Sequence, residues 1–178
     1  SITGVTLSGI ENIEADKAYM FIGNHRDITL DPAILQYYFF IEHRKTSRIA
    51  MGDNLFTTPL LGEIAKLNKM IKVKRSGTMR EKLLNSKHLA AYIQYSLIED
   101  NESVWIAQRD GRTKDGHDYT KQGLLKMITM GNDKHLVETM RKMNLTPVTI
   151  NYEYEPCDKM KAREIEDRKS GSAGTPRP

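Results

Sequence analysis

The stretch AYMFIGNHRDITLDPAIL, residues 18–35, runs from an apolar segment through a short polar one into a second apolar segment. Residues 18–23 form a continuous apolar run of strand length, as expected for a strand covered on both faces. Asp31 and Pro32 are typical of a helix start, because Asp is a favoured N-cap and Pro a favoured first residue. We therefore predict a strand at 18–23 and a helix at 32–43.

The same alternation of strand and helix continues along the chain. Further strands are predicted at 48–52, 70–74, 103–108 and 147–154, and further helices at 59–67, 78–100, 121–130 and 133–143. The first 13 residues are interpreted as a strand and a turn. This pattern predicts an α/β fold, in which one domain contains a largely parallel mixed sheet flanked by helices. We assign residues 1–168 to this domain, which can be a fragment of a longer protein, and the Ser-, Gly- and Pro-rich residues 169–178 to a disordered tail.

Polar and Gly-containing segments follow four of the predicted strands. They are GNHRD after 18–23, GDN after 48–51, RSG after 70–74 and RDGRTKDG after 103–108. In parallel sheets, ligand sites lie beyond the carboxyl ends of the strands. We therefore expect these four segments to form one composite site.

His25 comes directly after the first predicted strand, and two acids follow it within six residues. A histidine in such a loop can act as a general base if a carboxylate fixes the tautomer of its ring. Asp27 and Asp31 are both candidates for that partner. Asp31 also has a purely structural interpretation as the cap of the next helix, so the residues alone leave the choice open.

Four blocks of the chain together resemble the glycerophospholipid acyltransferase family, which includes glycerol-3-phosphate and lysophosphatidic acid acyltransferases. They cover most of residues 18–156 in the family's order: NHRDITLDPAIL, MIKVKRSG, WIAQRDGRTKDG and TPVTINYEYEP. The first resembles the family's Asn-His, four residues, Asp. The second resembles a hydrophobic strand ending in Arg and a small residue, the third a Glu-Gly-Thr-Arg-Ser type of loop, and the fourth a Pro-Val strand ending in Tyr-Glu.

Two departures from the family pattern affect which residues are assigned to the site. Five residues lie between His25 and Asp31, where the family has four. One extra loop residue restores the match, but Asp27 stays a competitor as the partner of the histidine. In the third block the expected Glu is missing, and either Asp110 or Arg109 takes its position.

The resemblance implies an O-acyltransferase of phospholipid biosynthesis. Its His25, with Asp31 or Asp27 as partner, would deprotonate a hydroxyl of glycerol 3-phosphate or a lysophospholipid. That hydroxyl would attack the thioester of acyl-CoA or acyl carrier protein directly, without an acyl-enzyme, so neither a cofactor nor a metal is expected. The substrate-binding residues that the resemblance implies come from the second and third blocks: Arg75, Ser76, Gly77, Asp110, Gly111 and Arg112.

Composition constrains the location of the protein. Hydrophobic residues make up 39% and charged residues 28%, within the range of soluble globular proteins, and no apolar run approaches the ~18 residues of a membrane span. The single cysteine, Cys157, cannot form an internal disulfide, which favours a reducing compartment. We expect a cytoplasmic protein peripheral to the membrane, because the lipid product lies in the bilayer.

Two other functions compete with acyl transfer. The net charge of +4 is compatible with a basic module that binds nucleic acid or anionic surfaces. We expect no nucleic acid partner, because 27 basic residues are interspersed with 23 acids and no stacking platform is visible. The extra loop residue and the missing Glu favour the other alternative, a family member that binds acyl donors without catalysis.

Overall fold

The protein has a five-stranded sheet with helices on both faces. The structure is a computed structural model, and it describes residues 4–56, 58–131 and 135–173. The strands are β1 (Met20–Gly23), β2 (Arg48–Gly52), β3 (Met70–Val73), β4 (Val104–Ala107) and β5 (Leu145–Val148). The helices are α1 (Leu30–Ile41), α2 (Pro59–Leu67), α3 (Met79–Ile98), α4 (Gln122–Ile128), α5 (Leu136–Lys142) and α6 (Asp158–Ala173).

The strands lie in the order β3-β2-β4-β1-β5, and each pair of neighbours is parallel. Phe21 of β1 lies opposite Trp105 of β4, and Gly23 lies opposite Ala107. Because all the strands run the same way, their carboxyl ends meet at one edge of the sheet. The predicted single-domain α/β fold is confirmed.

Two apolar cores cover the two faces of the sheet. Alternate strand residues point to opposite faces, so Phe21 and Trp105 pack with Phe39 of α1 on one face. Met20 and Ile22 pack on the other face with residues of α3 and α4, such as Ile93. Fully burying each such side chain contributes about 1.5–3 kcal/mol. The continuous apolar run at β1 thus reflects burial on both sides.

Helix starts follow local capping chemistry. Thr78 precedes α3 and accepts the Glu81 main-chain N–H, while the Glu81 carboxylate accepts the Thr78 N–H. This reciprocal capping box satisfies two main-chain donors that the helix itself leaves unpaired. Thr58 caps α2 in the same position, with Pro59 as the first helical residue.

Two sequence predictions need correction, and one helix was missed. The predicted N-terminal strand is wrong for residues 4–9, which have no strand partner, and residues 10–12 form a short 3-10 turn. The last strand ends at Val148 instead of residue 154, because its partner β1 ends at Gly23, and beyond that point the side chain of Asn24 takes the place of a strand by pairing with the main-chain N–H and carbonyl of Ile150. Helix α6 was not predicted.

Some predictions fall partly outside the described residues. These are residues 1–3 of the expected first strand, residues 133 and 134 of the predicted 133–143 helix, and residues 174–178 of the expected tail. Helix α6 includes residues 169–173 of that tail. The boundary between domain and tail therefore stays a prediction.

Candidate functional site

The loops after β1 and β4 are joined by main-chain hydrogen bonds at the carboxyl edge of the sheet. Gln108 N donates to the Gly23 carbonyl at 2.7 Å, and Thr113 N donates to the His25 carbonyl at 2.8 Å. The carboxylate of Asp118 accepts the main-chain N–H of His25. The first and third motif blocks are therefore in direct contact, as the composite-site prediction expects.

The His25 ring is buried beside a carboxylate. The side chain is only 10% exposed, and its Nδ1 lies 3.5 Å from Oδ2 of Asp31, a long distance for a hydrogen bond but close enough for an electrostatic contact. A carboxylate in this position favours the tautomer with the proton on Nδ1. The other nitrogen, Nε2, is then the one that can accept a proton.

Asp31 is fully buried and receives several donors. Its Oδ2 accepts the main-chain N–H groups of Arg26 at 2.7 Å and Asp27 at 2.8 Å. Its Oδ1 accepts the hydroxyl of Tyr152 at 2.8 Å. These hydrogen bonds compensate for the removal of the carboxylate from water and fix its orientation toward His25.

Asp27 has a different role from Asp31. Its Oδ1 accepts the N–H of Thr29 at 2.8 Å and of Leu30 at 2.9 Å, so it caps the first turn of α1. The expectation that Asp31 itself is the cap is wrong, because α1 begins at Leu30 and Asp31 is its second residue. The structure brings Asp31 to the His25 ring, and it gives Asp27 the capping contacts.

Tyr152 links the fourth block to this carboxylate. Burial, together with the hydrogen bond to Asp31, raises the pKa of the Tyr152 phenol above its ordinary value of 10.0. The phenol therefore stays protonated and donates throughout the neutral range. The sequence placed Tyr152 at a strand end, but its position after β5 carried no signal for contact with Asp31.

Arg75 lies against the loops after β2 and β4. A Cβ on Gly52 would lie 2.7 Å from Arg75 Nε, so the glycine provides the space that the guanidinium occupies. Arg75 N donates to Asp53 Oδ1 at 3.4 Å, and its Nη2 lies 4.0 Å from Oδ1 of the exposed Asp110. The second and third blocks are thereby brought together.

Ser76 and Gly77 are exposed in the turn that enters α3. Gly77 has a φ of 110°, a conformation that residues with a side chain rarely adopt. A Cβ there would also lie 2.9 Å from Oε2 of Glu81, the capping carboxylate. The backbone conformation and the close contact with Glu81 are enough to explain why a glycine is present at position 77, without a role in binding a ligand.

Gly111 and Arg112 belong to a cavity of about 670 Å³ at the same edge. Its basic lining residues are Arg109, Arg112, Lys114, His117 and Lys121. The carboxylate of Glu164, on α6, lies 3.7 Å from Arg112 Nη2 and contacts Lys114. Asp110 and Asp115 also line the cavity, and Glu164 is paired with two of its cations, so an anion that binds there must compete with carboxylates of the chain itself.

The loop that supplies this cavity is held by internal hydrogen bonds. Thr113 Oγ1 and Arg109 Nη1 both donate to the carbonyl of His117, at 2.7 and 3.0 Å. Asp115 accepts the His117 N–H, and this hydrogen bond lowers the pKa of Asp115. Such bonds limit the freedom of residues 108–121 before any ligand arrives.

Sequence reasoning missed Asp118, Glu155, Lys161 and Glu164, which all contact site loops. The last two lie on α6, which buries a lysine in place of an apolar stripe and so lacks the periodicity that indicates a helix. Cys157 is exposed. Within the described residues, no three His, Cys, Asp or Glu side chains form a group that could hold a metal ion.

Comparison with known proteins gives two findings. A family model described as Acyltransferase matches residues 4–152. No curated protein sequence matches the chain.

Proposed function

This chain belongs to the acyltransferase family, and we propose that it transfers a fatty acyl group to a hydroxyl of glycerol 3-phosphate or a lysophospholipid in phospholipid biosynthesis. The donor is the thioester of acyl-CoA or acyl carrier protein. The observation that carries the proposal is the 3.5 Å approach of the Asp31 carboxylate to Nδ1 of His25, whose main-chain carbonyl is hydrogen-bonded to the cation-rich loop after β4.

In the proposed reaction, Nε2 of His25 takes the proton of the acceptor hydroxyl as its oxygen attacks the thioester carbonyl. The C–O bond forms, the C–S bond breaks, and the thiolate leaves with the proton that the imidazolium returns. Asp31 stabilises the transient imidazolium through Nδ1. A general base of this kind contributes about 10²–10⁴ in rate, and positioning of the two substrates provides the rest.

The acceptor phosphate is the proposed ligand of the cations at the carboxyl edge. Arg75 and Arg112 present planar guanidinium groups that can hold phosphate oxygens in pairs. Arg112 belongs to the third block and lines the cavity. Arg75 belongs to the second block, and its Nη2 lies 4.0 Å from Oδ1 of Asp110 in the third. The acyl donor brings its own activated group, so no separate cofactor enters the proposal.

Peripheral contact with the membrane is a second part of the proposal. Helix α2 carries apolar residues that are exposed: Leu60 (69%), Leu61 (42%), Ile64 (42%) and Leu67 (83%). Lys66 lies on the same helix, and Lys72 is exposed on the neighbouring strand β3. Apolar side chains beside lysines suit a bilayer with anionic headgroups. No helix among the described residues is long and apolar enough to cross a membrane.

The test of the function is an acyl-transfer assay with acyl-CoA and acyl carrier protein thioesters, using glycerol 3-phosphate and lysophosphatidic acid as acceptors. His25→Ala is expected to lower the rate by about 10²-fold or more with little change in thermal stability. His88→Ala, at an exposed position of α3, is the matched control. Folded wild-type protein that binds a donor thioester but acylates no acceptor would instead favour the non-catalytic alternative.

A further inference from the structure

Lys161 of α6 is a buried cation next to the His25 loop. The residue is only 1% exposed, in a helix that lies beyond the residues matched by the family model. Its Nζ donates to the main-chain carbonyl of Arg26 at 2.6 Å and contacts the carboxylate of Glu155. A buried lysine is costly unless it is paired, and here the Arg26 carbonyl and the Glu155 carboxylate are its partners.

Glu155 is shared between two cations. Besides Lys161, it lies 3.0 Å from Nη2 of Arg26, whose Nη1 donates to the Gly116 carbonyl at 3.1 Å. Arg26 is thus held at both its side chain and its main chain. The residue that follows His25 is therefore anchored to α6 and to the loop after β4.

The Arg26 carbonyl belongs to the same peptide unit as the N–H of Asp27. That N–H donates to Oδ2 of Asp31 at 2.8 Å, and the same oxygen faces Nδ1 of His25. An ammonium at the carbonyl end of a peptide polarises the unit and strengthens its N–H as a donor. One continuous path thus runs from Lys161 through a single peptide to the carboxylate that serves the histidine.

We propose that Lys161 is a positioning residue for acyl transfer, which orients and polarises the Arg26–Asp27 peptide so that its N–H fixes the Asp31 carboxylate against His25. This inference rests on the proposed function and adds a residue of α6 to it. Lys161 touches neither substrate in this scheme. Its removal should therefore lower kcat and leave the KM values for both substrates nearly unchanged.

Three single variants test this role. Lys161→Met keeps most of the length of the side chain and removes the charge, and kcat is expected to fall by about 10-fold. Lys161→Arg, which keeps a cation, should recover much of that loss. Lys159→Met, at an exposed position of the same helix, is the matched control and should behave as wild type.

A spectroscopic readout does not depend on activity. In the protein without substrates, the amide proton of Asp27 should move upfield in Lys161→Met, because its hydrogen bond to Asp31 weakens, and return toward its wild-type position in Lys161→Arg. A wild-type kcat in folded Lys161→Met overturns the inference while the acyltransferase function stands. A fall in kcat with an unmoved Asp27 amide also overturns it, because the effect then bypasses the peptide.

Failure of the proposed function gives a different result. If the folded wild-type protein shows no transferase activity, the proposed function is wrong, and no residue has a catalytic role in acyl transfer. The shift of the Asp27 amide does not change that conclusion. If Lys161→Met does not fold, the double variant Glu155→Gln/Lys161→Met removes the carboxylate that the lysine had neutralised. The same kcat and amide measurements then decide, and wild-type kcat in the double variant overturns the inference.

Discussion

The hydroxyl of Tyr152 donates to Oδ1 of Asp31 at 2.8 Å, while Oδ2 of the same carboxylate lies 3.5 Å from Nδ1 of His25. The two oxygens of Asp31 thus face two different partners. Tyr152 comes from the segment after β5 and His25 from the loop after β1, so the contact joins the first and fourth blocks. The raised pKa of Tyr152 keeps the phenol protonated as a donor.

Tyr152 gives the first prediction, which concerns stability at high pH. Because its folded-state pKa lies above the unfolded value of 10.0, the unfolded chain releases this proton first. The stabilisation is fully present below about pH 10 and declines above it. Denaturant unfolding of wild type should therefore show a steeper loss of stability between about pH 9.5 and 11 than that of Tyr152→Phe.

At neutral pH the same substitution should destabilise the protein. Tyr152→Phe leaves Oδ1 of the buried Asp31 without this donor, which costs about 1–3 kcal/mol in the free energy of unfolding. Tyr95→Phe, at an exposed position of α3, controls for general effects of removing a phenol hydroxyl. If the free energy of unfolding falls equally steeply with pH in wild type and in Tyr152→Phe, the pKa of Tyr152 is not raised by folding.

The two acids near His25 give the second prediction. Asp31→Asn should lower the rate of acyl transfer by about two to four orders of magnitude, because the amide cannot stabilise an imidazolium as a carboxylate does. Its NH₂ group would also meet N–H groups that now donate to an acceptor. Steady-state kinetics with the most active acceptor measures the effect.

Asp27→Asn is the matched comparison. Asn caps a helix about as well as Asp, so the hydrogen bonds to Thr29 and Leu30 can be kept. Activity and thermal stability should both stay close to wild type. A large loss of activity in Asp27→Asn, with Asp31→Asn nearly normal, would reverse the two roles.

The amino-acid sequence predicted most of the strands and helices whose positions are determined by burial of apolar side chains. The strands at β1 and β2 and the helices α2 and α3 were predicted within about two residues, because apolar periodicity and capping residues define them. It could not choose between Asp27 and Asp31, because that choice depends on how a six-residue loop folds. Helix α6 escaped detection since its inward contacts include the charged Lys161 and Glu164 instead of an apolar stripe.

Glu164 gives the third prediction, which concerns the affinity for phosphate. Its carboxylate is paired with Arg112 and Lys114, so a phosphate that binds these cations must compete with it. Glu164→Gln should lower the KM for a phosphate-bearing acceptor severalfold and leave the KM for the acyl donor unchanged. Glu166→Gln, at an exposed position of α6, is the control.

The opposite outcome for Glu164 is also informative. If the carboxylate holds the two cations in the correct place, Glu164→Gln raises the KM for the acceptor. That result would contradict the competition between Glu164 and the phosphate. Inhibition by inorganic phosphate distinguishes the two roles of Glu164. If Glu164 competes with phosphate for Arg112 and Lys114, inorganic phosphate should inhibit Glu164→Gln more tightly than wild type.

Gly52 gives the fourth prediction, which tests the placement of Arg75. Its backbone is extended, with φ −63° and ψ 141°, so alanine fits the conformation without strain. The added Cβ would lie 2.5 Å from Asn54 Oδ1 and 2.7 Å from Arg75 Nε, so both side chains must move. Gly52→Ala should therefore raise the KM for the phosphate-bearing acceptor with a change in stability below about 1 kcal/mol.

Gly77→Ala provides the contrast to Gly52→Ala. At a φ of 110° the alanine strains the backbone and crowds the Glu81 cap, so the loss is expected in the free energy of unfolding, by about 1–3 kcal/mol. Chemical denaturation and acceptor kinetics on both variants separate the two effects. A Gly52→Ala protein with wild-type acceptor KM would show that Arg75, displaced from its position, makes no contact with the phosphate.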